Sequence, residues 1–264
     1  MDIGEILTES ITYTRETFEG KWVRWLIFII LGLPMALFPF VFDSTKLMDS
    51  KTASFHWELV AWDQVAIVII AALLFSFCLS GYMVRIYRGT KPAPDFDYWG
   101  DLILDGIKMQ IVSLIWFLPA IIVIAAVMAL AIFGMASGGS GMMASIAIML
   151  VGLLAAMVLL LVIALLSVIG VIRFARTGSI REGLSLSKVL ELIGRIGWGK
   201  YIVAVIILFI VMFIFGIMVM IVSLIPYVGV VIKLVITPVF SVLSARYYTL
   251  LYDEAGPQPG QAGN

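Results

Sequence analysis

Few residues in this chain are equipped for chemistry, and their spacing limits what they can do. His56 is the single histidine and Cys78 the single cysteine, so a multi-histidine zinc site, a cysteine metal cluster and an intramolecular disulfide are all excluded within one chain. One histidine would suffice for a nucleophilic triad. However, neither H-E-x-x-H nor G-x-S-x-G occurs, and a solvated loop histidine is the plainer reading of His56. Cys78 falls among apolar neighbours, where a thiol is a small inert hydrophobe. Asp97, Asp101 and Asp105 recur every fourth residue and would give a helix one acidic face. Such a face could hold a divalent cation or a basic partner, or simply face water, balanced by Arg85, Arg88 and Lys91. Ser137–Gly141 is glycine-rich but lacks a P-loop lysine, and reads as a flexible turn. These residues imply no metal, cofactor or catalytic site.

The elements that must position these residues are set by composition. Of 264 residues, 62% are hydrophobic and 13% charged, and the mean hydropathy is +1.13. Soluble domains carry about 25% charged residues, so the chain is not one of them. Lys+Arg and Asp+Glu are both 17, which gives no electrostatic footprint for nucleic acid. Six apolar stretches predict transmembrane helices at about Trp22–Phe42, Val60–Val84, Ile107–Met135, Met142–Ile172, Tyr201–Ile225 and Val230–Tyr252. Helices follow because lipid offers backbone groups no partners. Spans 3 and 4 exceed the ~30 Å hydrocarbon core and must tilt, kink or protrude, with Pro34 and Pro119 as expected kink sites. Span 1 reads as an uncleaved signal anchor, and residues 253–264 as a disordered tail.

Orientation follows from the connections. The N-terminus, the 85–106 and 173–200 segments, their flanks and the end of span 6 hold 14 of the 17 Lys/Arg residues, whereas Lys46, Lys51 and Lys233 lie on the other side. Positive charge is retained inside, which predicts a multi-pass plasma-membrane protein with both termini cytoplasmic. Asp63 and Lys233 fall a few residues inside span ends on the outer side, and are expected to form a shallow charge pair. Spacing of Ser76 with Ser80, and of Ser241 with Ala245, suggests close helix packing.

A threefold pattern underlies the spans. Three segments at helical spacing, Asp2–Gly20, Asp95–Gly106 and Ser179–Gly199, each precede a span through a Gly-Lys junction. Their residues at helical spacing are Ile3, Ile6, Leu7, Ile11, Thr14 and Phe18; Phe96, Trp99, Leu102 and Ile103; and Ile180, Leu184, Leu190 and Ile193. Asp2 with Glu5, and Ser179 with Glu182, are candidate capping boxes. The second span of each hairpin ends in Arg85-Ile-Tyr-Arg88, Arg173-Phe-Ala-Arg176 or Arg246-Tyr-Tyr. The expected fold is therefore an all-α bundle of six spans in three hairpins, each preceded by a cytoplasmic amphipathic interfacial helix. It forms one membrane domain over residues 1–252, with repeat-like units at about 1–91, 92–178 and 179–252. Arg85, Arg88, Arg173, Arg176, Arg246 and Trp99 are the candidates for docking lipid head groups or a protein partner at the inner interface.

The block Gly81-Tyr-Met-Val-Arg-Ile-Tyr-Arg-Gly89, Pro92, Asp95-Phe-Asp-Tyr-Trp-Gly-Asp101 and Asp105-Gly-Ile-Lys108, together with Leu118-Pro119, resembles the signature of the DUF4013 family of archaeal integral-membrane proteins. The resemblance implies a multi-span membrane protein and carries no activity, cofactor or catalytic residue. The leading expectation is a non-enzymatic membrane scaffold or accessory subunit whose partners are membrane lipids, a membrane protein or a second copy of the chain. A transporter or channel for an uncharged or apolar solute is the alternative. A lipid-directed membrane enzyme ranks third, because no ionisable group lies near the midplane of a span.

Overall fold

The structure is a computed structural model that describes residues 2–42, 47–49, 54–136, 140–225 and 228–256. In chain order the elements are α1 (Ile3–Phe18), α2 (Trp22–Val41), a two-residue antiparallel ladder of β1 (Met48–Asp49) and β2 (Ser54–Phe55), and a 3-10 turn at Trp57–Leu59. There follow α3 (Trp62–Tyr87), α4 (Trp99–Ala136), α5 (Ser140–Thr177), α6 (Ile180–Gly183), α7 (Leu186–Ile196), α8 (Trp198–Val222) and α9 (Val228–Asp253). Six of these helices are long and apolar enough to cross a membrane, over Trp22–Val41, Trp62–Tyr87, Trp99–Ala136, Met143–Thr177, Trp198–Val222 and Val228–Asp253. Of the turn expected at Ser137–Gly141, residues 140–141 already belong to α5, and of the tail expected at 253–264, Asp253 still belongs to α9; residues 137–139 and 257–264 lie outside the described residues.

Two expectations about the amphipathic segments change. Asp95–Gly106 is not a separate interfacial helix: α4 runs unbroken from Trp99 through Gly106-Ile107-Lys108 to Ala136. Nothing in that junction breaks a helix, since a single glycine costs only about 1 kcal/mol and no proline follows until Pro119. At 38 residues, α4 and α5 would each be about 57 Å long, well beyond a hydrocarbon core. Because Asp97 precedes the helix, the three aspartates do not form one helical face. The third segment is divided at Leu184-Ser185 into the single turn α6 and the longer α7.

The chain divides into two compact units, 1–107 with 202–251, and 108–201 with 252–264, which do not follow the repeat boundaries expected at 91 and 178. In the first, α2 packs on α3, and an aromatic core joins them to α1. Phe28 meets Tyr82 and Phe96 edge-on at 5.0 Å each, and Tyr82 stacks on Phe96 at 4.5 Å. α3 and α4 cross through glycine: a Cβ on Gly81 would fall on the Leu102 carbonyl, and one on Gly106 on that of Phe77. The capping box of α1 forms as expected, Ile3 N–H donating to Asp2 at 2.7 Å and Asp2 N–H to Glu5 at 2.9 Å. The buried face of α1 keeps Ile6, Thr14 and Phe18 of the expected set and adds Ser10, Tyr13 and Thr17, while Ile11 is exposed. The buried hydroxyls solve their own polarity by donating back to carbonyls four residues earlier: Ser10 to Ile6, Thr14 to Ser10 and Thr17 to Tyr13, each at 2.7 Å.

The second unit packs α6 and α7 on α5. Gly170 and Gly183 approach closely, and the Trp116 indole N–H donates to the Gly183 carbonyl at 3.1 Å. Tyr201 O–H donates to the Leu165 carbonyl at 2.5 Å, fixing the start of α8 on α5. α7 buries Val189, Leu192, Ile193 and Ile196, whereas Leu190 is exposed rather than inward.

Candidate functional site

Every candidate docking arginine is held by a carboxylate of its own chain. In the first unit α3 ends in Arg85, whose guanidinium pairs with Asp97 and donates to the carbonyls of Asp95 and Asp97 at 2.8 Å each. One turn on, Arg88 pairs with Asp105 at 2.7 Å, so Asp97 and Asp105 are balanced by direct ion pairs. Trp99, at the start of α4, is exposed and stacks on Phe96 at 5.9 Å. Arg246 on α9 is only 2% exposed. It donates to Glu9 Oε1 at 2.7 Å and lies over the Tyr13 ring at 4.7 Å. Glu9 also receives Lys91, and Tyr13 O–H donates to the Thr90 carbonyl at 3.2 Å. Burial works against the charge of Glu9, but hydrogen bonds from Lys91 and Arg246 outweigh it and hold the carboxyl below its ordinary range. On Tyr13, burial pushes the phenol up.

Arg24, which the sequence did not single out, is held as firmly as Arg85. Buried at the start of α2, it donates to the Thr17 carbonyl at 2.9 Å and the Ala93 carbonyl at 3.4 Å, and pairs with Asp95. That hydrogen bond lowers the Asp95 carboxyl. A planar guanidinium serves three acceptors at once, which an ammonium could not do with the same geometry. Arg24 thereby ties α1, α2 and the 93–95 turn together. Its only signal in the sequence was a charge two residues inside a span, between Trp22 and Trp25.

In the second unit Arg173 donates to Glu182 at 2.5 Å, and Lys188 reaches both oxygens of the same carboxylate at 2.8 Å. The second candidate capping box is therefore half formed: the Ser179 hydroxyl accepts from Glu182 N–H at 3.5 Å, while the Glu182 side chain turns to its cations. Hydrogen bonds from Lys188 and then Arg173 lower the Glu182 carboxyl to about 2. Arg176 pairs with Asp253 at 2.6 Å and lies 5.9 Å from the Tyr252 ring centroid. Lys200 pairs with Glu254.

The expected Asp63–Lys233 pair is not formed. Both residues are exposed, and no ion pair joins them. Each can be solvated alone, so neither needs the other to offset burial. His56 Nδ1 sits 2.7 Å from Glu58, and among the described residues no group of three or more potential ligands could hold a metal ion. Directly after Ser80, the second residue of the expected Ser76/Ser80 packing pair, Gly81 is where backbone meets backbone.

Six apolar helices with their fixed charge gathered into arginine–carboxylate clamps at span ends define a polytopic helical membrane protein. The chain belongs to the family described as Protein of unknown function (DUF4013), whose family model matches residues 65–224, more than half its length. No curated protein and no solved structure matches it.

Proposed function

We propose that this protein is a non-enzymatic scaffold or accessory subunit of the plasma membrane, docking lipid or a protein partner on its cytoplasmic side. The observation that carries this reading is where the fixed charge goes. Apart from His56–Glu58, the ion pairs among the described residues involve segments an even number of spans from the N-terminus. There they tie helices together rather than line a path between spans. The Lys/Arg asymmetry supports a cytoplasmic location for those segments, and with it both termini. The three-hairpin repeat gains support from Arg85, Arg173 and Arg246. Each ends the second span of a hairpin and holds a carboxylate of the next segment in turn, Asp97, Glu182 and, closing back on α1, Glu9.

With those arginines committed to internal partners, docking falls to surfaces beside them. On α7, Leu186 and Leu190 are exposed next to a polar flank of Lys188, Glu191 and Arg195, as an interfacial helix requires. The test is purification in mild detergent followed by reconstitution into liposomes. Retention of a stoichiometric partner protein or a defined lipid through size-exclusion chromatography supports the scaffold. Selective permeation of an uncharged solute such as glycerol or urea, absent from protein-free liposomes, would overturn it in favour of a transporter.

A further inference from the structure

The connection from α5 through α6 to α7 carries an open groove of about 780 Å³, lined by Ile180, Arg181, Glu182, Leu184, Ser185 and Lys188. Within this connection Gly183 packs closely against Gly170 and Phe174, and its carbonyl accepts the Trp116 indole N–H at 3.1 Å. Its charge does not balance. Glu182 is shared by Arg173 and Lys188, while Arg181 enters no ion pair among the described residues. Two cations, Arg181 and Lys188, line the groove beside one carboxylate, a surplus of one positive charge. The remaining lining is the apolar Ile180 and Leu184 with the hydroxyl of Ser185. A free inorganic anion would use the cations and leave the apolar wall idle. An amphiphile with an anionic head uses both.

We propose that this groove seats the phosphate of an anionic phospholipid, with Arg181 and Lys188 on the phosphate oxygens and the glycerol and first acyl carbons along Ile180 and Leu184. The assignment rests on the lipid-docking reading above and gives it a location. Arg181 is the principal recognition group because binding there breaks no existing pair. Lys188 keeps one ammonium proton beyond the two directed at Glu182.

Native mass spectrometry of the full chain in detergent micelles, with phosphatidylglycerol or phosphatidylcholine added, tests the site. Wild type is expected to retain phosphatidylglycerol in preference to phosphatidylcholine. Arg181→Gln, which disrupts no ion pair, is expected to lose about fivefold of that retention, and Arg181→Gln with Lys188→Gln on the order of 30-fold. Arg15→Gln, whose exposed side chain pairs with Glu19 at 2.7 Å on α1, outside the groove lining, is expected to stay within about twofold of wild type. Excess inorganic phosphate is expected to leave the lipid in place, and displacement by phosphate alone would refute the lipid as occupant. No preference in wild type would overturn the lipid-docking reading itself. A preference that survives in the double variant would remove only the groove.

Discussion

Replacing Glu9 by glutamine should release α1 from the end of α9. The carboxylate accepts from Arg246 at 2.7 Å and from Lys91, and Arg246 is only 2% exposed. Glutamine keeps the shape and one acceptor oxygen but removes the charge. A hydrogen bond between charged groups is worth about 1.5–3 kcal/mol against about 1 for a neutral one, so the Arg246 contact loses roughly 1–1.5 kcal/mol. Lys91 is largely exposed and contributes at most about 0.5 kcal/mol more. The guanidinium left without its counter-ion raises the cost further, although Glu9 is partly solvated, which keeps it below the 3–5 kcal/mol typical of a fully buried pair. A total of about 2 kcal/mol corresponds to roughly 30-fold faster exchange of α1 amides through local opening. Hydrogen exchange by mass spectrometry on the detergent-solubilised chain at neutral pH would measure it, with the exposed Glu16→Gln as the matched control. The double variant with Arg246→Met should show a coupling of about 1–2 kcal/mol. If α1 in Glu9→Gln exchanges within twofold of wild type, the clamp does not hold this helix and the reasoning fails.

The glycine crossing makes a contrasting pair of variants: Gly81→Ala drives a methyl into the Leu102 backbone and should cost about 3 kcal/mol or more, whereas Gly100→Ala meets open space and should be neutral or stabilising by up to about 1 kcal/mol. Thermal unfolding in detergent separates them, and equal midpoints would contradict the close approach of α3 and α4. The Glu182 carboxyl, lowered from 4.5 to about 2, contributes stability that is complete above about pH 4.5 and is lost as pH falls through about 2. The Trp116 indole N–H resonance, assigned by its loss in Trp116→Phe, should therefore hold still from pH 8 to 5 and move only below that window. A transition near neutral pH would contradict the assignment.

How much of this was legible in the sequence depends on how local each cause is. The spans were readable because a hydrocarbon core demands about 20 apolar residues in a row, and composition states that directly. The capping box at Asp2 and Glu5 was readable for the same reason, since its partners are three residues apart. The arginines were readable as a pattern and misleading as a site. Their partners stand 71 residues away for Arg24 and 237 for Arg246, and no local rule reports such pairings. The break between α6 and α7 was hidden because its cause is tertiary, the docking of Gly183 beneath Trp116. Part of the buried face of α1 was missed because Ser10 and Thr17 count as polar by type, yet satisfy their hydroxyls on their own helix and can pack. Gly81 and Gly106 were visible as letters, but a crossing of two backbones is a property of both helices together.

The central claim is that the clamped span ends form the cytoplasmic face of a multi-pass membrane protein. Single cysteines at Thr90, Ser187 and Glu58, in a Cys78→Ser background, can be probed in intact cells with a membrane-impermeant maleimide. The account expects labelling at Glu58→Cys from outside, and none at Thr90→Cys or Ser187→Cys until the membrane is permeabilised. External labelling at position 90 or 187 would contradict it.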